Sequence, residues 1–421
     1  MFRFLHAADI HLDSPLRGLE GYYQDAPVEQ IRSAVRRAFD NLVDLAIQEE
    51  TAFILLSGDL FDGDWKDYNT GIYFNSRMGL LREAGIQVFM VSGNHDAASR
   101  ITRALHLPDN VVLFSDRTAE TRIMEDLQVA IHGQSFRSRV VSEDLTRNYP
   151  QGKHGLFNVG LLHTALTGRP GHEPYAPCTL DGLHSKGYQY WALGHVHSRE
   201  EVSRDPWVIF PGNIQGRHIR ETGPRGCTIV AVDNGQVTGI EHHNIDVLRW
   251  AVCRVDLSGC EIREECLEKA RQAFENELGR AEGRPVVVRL ILEGTTSLHS
   301  DFHERSVHWT EEFRGVAASL LEVWLEKTIF HTRRKVSIDT APLNDTPISA
   351  LNSAVDEIRT GSPYLLDIIP QFEKLRSKLP PDLLNEEDPF HLQEEELETL
   401  CEEVRELLMG KILGQEAHRE N

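Results

Sequence analysis

The chain has 421 residues, 40% hydrophobic and 26% charged, which suits a globular protein and excludes a mainly disordered chain, a collagen or a small disulfide scaffold. Lys and Arg total 44 against 65 Asp and Glu, a net charge of −21, so the bulk field does not attract nucleic acid. Residues 382–421 hold thirteen acidic and three basic side chains, so about half of the excess sits in a tail and the remainder can still carry a local basic groove. No apolar run reaches the roughly 18 residues of a spanning helix, and the opening MFRFLHAADIHLDSP lacks the basic stretch and apolar core of a secretory signal. The expectation is a cytoplasmic protein with no membrane partner. Cys178, Cys227, Cys253, Cys260, Cys266 and Cys401 form no C-x-x-C pair and read as reduced thiols.

The first half alternates strand and helix signals. Phe2–Ala8 reads as a buried strand, and residues 28–48 carry Ile31, Val35, Phe39, Leu42 and Leu45 at helical spacing. Ala52–Ser57 is a short apolar run ending in Gly58-Asp59; a helix follows around 70–84, then a strand at Gln87–Val91. This βαβαβ order predicts a layered α/β domain. Short β-rich runs continue at 111–114, 128–132, 156–162, 188–193, 207–210 and 227–232. Composition shifts near 245–250. Strands at 251–257, 285–292 and 329–339 with helices at 262–278 and 310–327 predict a small second α/β domain. Beyond Pro342 the pattern turns helical, with Leu397, Leu400, Val404, Leu407 and Leu408 striping an acidic helix over 392–412. The division read from the chain is 1–245, 246–342 and 343–421.

Five segments carry chemistry: Asp9-Ile10-His11, Gly58-Asp59, Gly93-Asn94-His95-Asp96, His163 and Gly194-His195-Val196-His197. Each follows an apolar strand. In an extended strand residues two apart face the same way, so Asp9 with His11, and His195 with His197, are expected to share one site. The carboxyl ends of strands are where open α/β sheets place ligands. Taken singly, each segment reads equally well as a turn or a satisfied histidine. Taken together, they supply seven oxygen and nitrogen donors, enough for two divalent ions.

The string D-x-H … G-D … G-N-H-D … H … G-H-x-H resembles the calcineurin-like metallophosphoesterase superfamily over roughly residues 1–240. FLHAADIHL and GDLFD are similar to the SbcD-type DNA repair nucleases, and HLDSPL to their bacterial YhaO-type branch. The resemblance implies a β-sandwich flanked by helices, a small α/β cap over 246–342 and a helical tail. It implies a first ion on Asp9, His11 and His197 and a second on Asn94, His163 and His195, with Asp59 bridging. That donor mix suits Mn²⁺, with Fe²⁺ or Zn²⁺ as alternatives. It further implies that His95 faces the scissile phosphate as general acid and that Asp96 orients its ring. The implied activity is 3′→5′ DNA exonucleolysis, with an SMC-like coiled-coil ATPase docked on the C-terminal helices and a homodimer as further partners. The alternative class is a small-molecule phosphodiesterase or phosphatase. The strings GDLFDGD and GNHD depart from the G-D-x-x-D-R-G and G-N-H-E of protein phosphatases.

Other residues carry weaker expectations. His6 reads as a satisfied core or supporting histidine, and His132, His154, His172 and His184 as packing or surface residues. Arg217, His218, Arg220 and Arg225 are either phosphate contacts or a solvated loop. Trp65-Lys66 lies where a DNA strand can pass, and Arg333-Arg334-Lys335 reads as a surface patch or a DNA contact on the cap. Asp13 stands where relatives commonly have Gly, and its carboxylate is either a supporting group behind the ligands or an extra negative charge near the mouth of the site.

Overall fold

The computed structural model describes residues 1–14, 33–62, 68–98, 106–166 and 176–334, with 350–351, 353–356, 404, 405 and 408. Trp65-Lys66, His172, Lys335, and the tail from 343 onward save those few residues lie outside the described residues. Two compact units emerge: Met1–Val255 with Leu267–Leu292 and Thr310–Ile329, and Asp256–Cys266 with Glu293–Trp309 and Phe330–Asn421.

The first unit is built on two six-stranded sheets. In one, β1 (Phe2–Ala7), β2 (Phe53–Ser57), β3 (Gln87–Val91) and β4 (Val111–Leu113) run parallel. In the other, β6 (Val129–Gly133), β7 (Phe157–His163), β8 (Tyr190–Gly194) and β10 (Trp207–Phe210) run parallel, edged by the antiparallel strands β5 (Glu120–Met124) and β9 (Glu200–Arg204). The antiparallel hairpin of β11 (Gly226–Asp233) and β12 (Gln236–Asn244) completes the first sheet beyond β1.

The core follows from strand alternation. Phe4, Phe53, Leu55, Phe89 and Val91 of the first sheet meet Ile131, Phe157, Val159, Tyr190 and Ile209 of the second to form the sandwich interior. Phe4 and Phe53 stack with centroids 5.0 Å apart. The alternate residues Leu5, Ala7, Ile54, Leu56, Val88 and Met90 pack outward on the helices Ala34–Gln48 and Tyr68–Glu83. Trp191, Leu193, Leu162 and Phe210 do the same on the far face of the second sheet, against Tyr149, Leu183 and Tyr188. Burial on both faces explains why the parallel strands read as unbroken apolar runs.

Strands β13 (Arg249–Asp256), β14 (Val286–Thr296) and β15 (Val323–Arg334) form a third sheet in that order, with a helix at Arg263–Arg280. The helix expected at 310–327 instead spans Ser306–Ser319, and β15 starts at Val323 rather than 329. Leu321, in the left-handed region at φ 62, turns the chain between them. The fold is mixed α/β, with sandwiched sheets flanked by helices. The five described cysteines are buried thiols. Among the described residues no helix is long and apolar enough to cross a membrane.

Candidate metal centre

Every chemical segment lies where a parallel strand ends, but the local geometry differs from the extended one expected. β1 stops at Ala7, and Asp9 and His11 both adopt left-handed backbone, at φ 51 and 49. Asp59 does so too, at φ 51, and His195 has φ 103. Such angles are uncommon outside glycine and persist only where surrounding bonds enforce them. Here two loops pair edge to edge: the Asp9 and His11 amides donate to the carbonyls of Gly58 and Asp59, each at 3.0 Å. Asp9 and His11 therefore reach one site through alternating left-handed turns, not through strand periodicity.

Two glycines let the loops approach. At Gly58, φ 93, a Cβ would fall 2.5 Å from His163 Nδ1. At Gly194 it would fall 2.0 Å from the Ser57 carbonyl oxygen.

The potential ligand atoms of Asp9, His11 and His197 lie within 4.8 Å of one another, and so do those of Asp9, Asp59 and His163. His163 sets Nε2 3.5 Å from Asp59 Oδ2 and 3.0 Å from Asn94 Oδ1, while its Nδ1 is 2.9 Å from the Ser57 carbonyl. His197 sets Nε2 3.9 Å from Asp9 and Nδ1 2.6 Å from Glu221 Oε1. Both rings thus turn Nε2 to the cluster and are steadied at Nδ1 by an oxygen, the arrangement that orients metal-binding imidazoles. The His195 ring lies 5.2 Å from that of His163, and its amide donates to both carboxylate oxygens of Asp9, at 3.1 and 2.9 Å. All seven expected ligands are thereby brought together.

The electrostatics suit cations. Burial, aided by the charge of Arg217, pushes His11 down to about 3, so its imidazole is neutral. Neither of its ring nitrogens has a hydrogen-bond partner among the described residues. Burial raises Asp9, whereas at Asp59 the surrounding histidines outweigh burial and hold the carboxyl at about 2. Asp9 and Asp59 are at most 2% exposed, and among the described residues their ion-pair partners are histidines alone. Buried carboxylates need opposite charge, and a set of carboxylate, amide oxygen and neutral imidazole fits divalent metal ions.

Beside this cluster His95 stands about one-third exposed, its ring 4.9 Å from that of His11. Its Nδ1 is 3.0 Å from Asp62 Oδ1, and Asp62 also accepts from Ser14 Oγ at 2.7 Å. Burial disfavours the His95 imidazolium, but Asp62 and Asp59 prevail and raise it above the ordinary value. The expectation that Asp96 orients this ring is corrected. Asp96 lies under the loops and accepts from the amides of Leu60, Phe61 and Gly93 at 3.2, 2.8 and 3.1 Å, which ties the ends of β2 and β3. The carboxylate on His95 is Asp62.

Residues 2–199 match the calcineurin-like phosphoesterase family, and residues 250–333 match the middle domain of metallophosphoesterase YhaO. The uncharacterized metallophosphoesterase YhaO of Bacillus subtilis (strain 168) is 36% identical over 296 residues, covering 69% of this chain and 72% of that one. The chain belongs to the YhaO-type branch of the calcineurin-like metallophosphoesterases. It is also similar to the DNA double-strand break repair protein Mre11 of Sulfurisphaera tokodaii, 28% identical over 69% of this chain and 73% of that one. The protein of the same name from Sulfolobus acidocaldarius is 21% identical over 93% and 97%.

As a metallophosphoesterase the chain is a metal-dependent phosphoesterase, and the remaining residues sort around that centre. Glu221, absent from the sequence reading, is 4% exposed and accepts from His197, the Arg217 amide at 2.7 Å and Asn213 Nδ2 at 2.9 Å. Burial alone would raise its carboxyl, but His197 and Arg217 hold it well below the usual range. The metallophosphoesterase core also absorbs His6, whose nitrogens lie 2.9 Å from Tyr190 Oη and 2.9 Å from Ser57 Oγ. His132 bonds Thr121 and Asn158 and stacks on Tyr188, while His154 and His184 are exposed. Asp13 adds no unpaired charge at the mouth: Arg36 grips it at 2.6 and 2.5 Å, and Thr70 donates to it as well. Arg333 and Arg334 are exposed at the end of β15.

Proposed function

We propose that this metallophosphoesterase is a Mn²⁺-dependent DNA exonuclease, 3′→5′ in polarity, acting in the cytoplasm with an SMC-like coiled-coil ATPase held by its C-terminal segment and as a homodimer. In this reading residues 1–245 carry the chemistry, 246–342 cap it and 343–421 dock the partner. The observation that carries the diesterase part is the Asp62–His95 pair beside the ligand cluster. A phosphodiester leaves as an alkoxide, which needs a proton. When bound, divalent ions would activate water and neutralise phosphoryl oxygens. His95 supplies the acid: Asp62 holds Nδ1–H, and Nε2–H is given to the leaving oxygen. The DNA part draws its support from relatives named as double-strand break repair proteins.

The test is hydrolysis of end-labelled double-stranded DNA and of an aryl phosphodiester with added Mn²⁺, wild type beside His95→Ala. The variant should lose at least about 10²-fold in turnover, the usual share of a general acid, with bound metal unchanged. Surviving turnover would remove His95 from the acid role. Cleavage of the aryl diester alone would favour a small-molecule phosphodiesterase, and product lengths would give polarity.

A further inference from the structure

The basic segment after β10 separates into distinct roles. Arg225 is engaged by the backbone carbonyls of His197 and Thr222, Arg220 is exposed, and His218 lies 3.6 Å from Glu221. Arg217, by contrast, lies between the two carboxylates that serve the centre. Its Nη1 is 3.3 Å from Ser14 Oγ, whose hydroxyl donates to Asp62, the partner of His95. Its Nη2 is 3.3 Å from Glu221 Oε1, the partner of His197. The side chain is 13% exposed, and its Nε is buried without a hydrogen-bond partner among the described residues.

We propose that Arg217 is the residue that grips the substrate phosphate, donating from its guanidinium to the non-bridging oxygens of the phosphoryl group at the metal centre. The proposal rests on reading the cluster as a centre that acts on phosphodiesters. Both existing side-chain bonds, at 3.3 Å, are longer than the 2.7–2.9 Å usual for charge-assisted pairs. They leave donor capacity in hand on the two Nη groups of the planar fork. The backbone is fixed independently, because the Arg217 amide donates to Glu221 Oε2 at 2.7 Å. A planar fork suits two phosphoryl oxygens; a lysine ammonium would supply charge without the fork.

A purely structural role, neutralising Glu221 and Asp62, makes different forecasts. Arg217→Ala and Arg217→Lys are compared with wild type in the full chain. Four quantities are read: Mn²⁺ content, calorimetric affinity for inorganic phosphate on the Mn²⁺-loaded protein, and kcat and KM for an aryl phosphodiester. The alanine variant should keep its metal, bind phosphate about tenfold or more weakly, and lose about 10²-fold or more in kcat/KM, the scale of a lost transition-state donor. The lysine variant should recover only part of the phosphate affinity. Unchanged phosphate affinity overturns the proposal, as does loss of metal from both variants, which would make Arg217 a support for Glu221. If wild type cleaves no diester, the diesterase reading falls, while phosphate affinity still decides the role of Arg217.

Discussion

Glu221 shows how much of a metal centre lies behind its ligands. Its 2.6 Å contact fixes the His197 ring at Nδ1 and leaves Nε2 for the cluster. Replacing it by Gln keeps the volume but removes the charge that favours an N–H donor at Nδ1. Glu221→Gln should therefore weaken Mn²⁺ binding about 10–100-fold, the usual cost of losing such a partner, in a calorimetric titration of the full chain. Unchanged affinity would mean that packing alone holds the ring. The seven expected ligands were legible because each follows an apolar strand in a short, composition-marked segment. Glu221 was not, because its contact with His197 is made only by the folded chain; Arg217 was legible only as one of four basic residues with a phosphate-contact or a solvated-loop reading, since its link to Ser14 spans 203 positions. Asp96 was misread for the opposite reason. It neighbours His95 in the chain, yet its carboxylate turns back to the amides of Leu60, Phe61 and Gly93.

At the scale of elements, the site depends on how closely strand ends can approach. Gly194 closes β8, and the Ser57 oxygen that would lie 2.0 Å from an added Cβ also accepts the His163 Nδ1 contact at 2.9 Å. A methyl group there must push the end of β8 from the end of β2. Gly194→Ala should cost about 1–3 kcal/mol, the range for overpacking a tight interior. It should also lower metal content by displacing His163. Denaturant unfolding and metal analysis check the two effects, and full stability with full metal would mean that the sheets relax. Buried elements were legible as apolar runs with the right period. The polar edge strands β9 (EEVSR) and β12 (QVTGIEHHN) were not, since one-sided exposure removes the apolar signal. The β11–β12 turn nevertheless has a local cause: Asn234-Gly235 takes φ 49 and 74, the paired positive angles of a tight hairpin.

For the molecule as a whole, the important fact is that the expected ligands come from both sheets. Asp9, His11, Asp59 and Asn94 follow β1, β2 and β3, whereas His163, His195 and His197 end or follow β7 and β8. Strand order along the chain made the first sheet legible as a βαβαβ layer, but nothing in the apolar runs said that the later strands form a second sheet facing it. Divalent ions held across that seam would join the sheets and offset Asp9 and Asp59, buried carboxylates whose ion-pair partners among the described residues are histidines. Anything that binds the folded state alone stabilises it by mass action, by about 2.7 kcal/mol at a hundredfold excess over Kd. For a domain of this size that corresponds to a rise of about 5–10 °C in Tm per bound ion. The full chain, stripped with chelator and dialysed, should therefore unfold at a lower temperature than when reloaded with Mn²⁺, and its Tm should climb with the logarithm of Mn²⁺ concentration. His11→Ala combined with His163→Ala, which removes one imidazole from each expected ion, should abolish that dependence. A Tm indifferent to Mn²⁺ in the wild type would mean that the seam holds without ions.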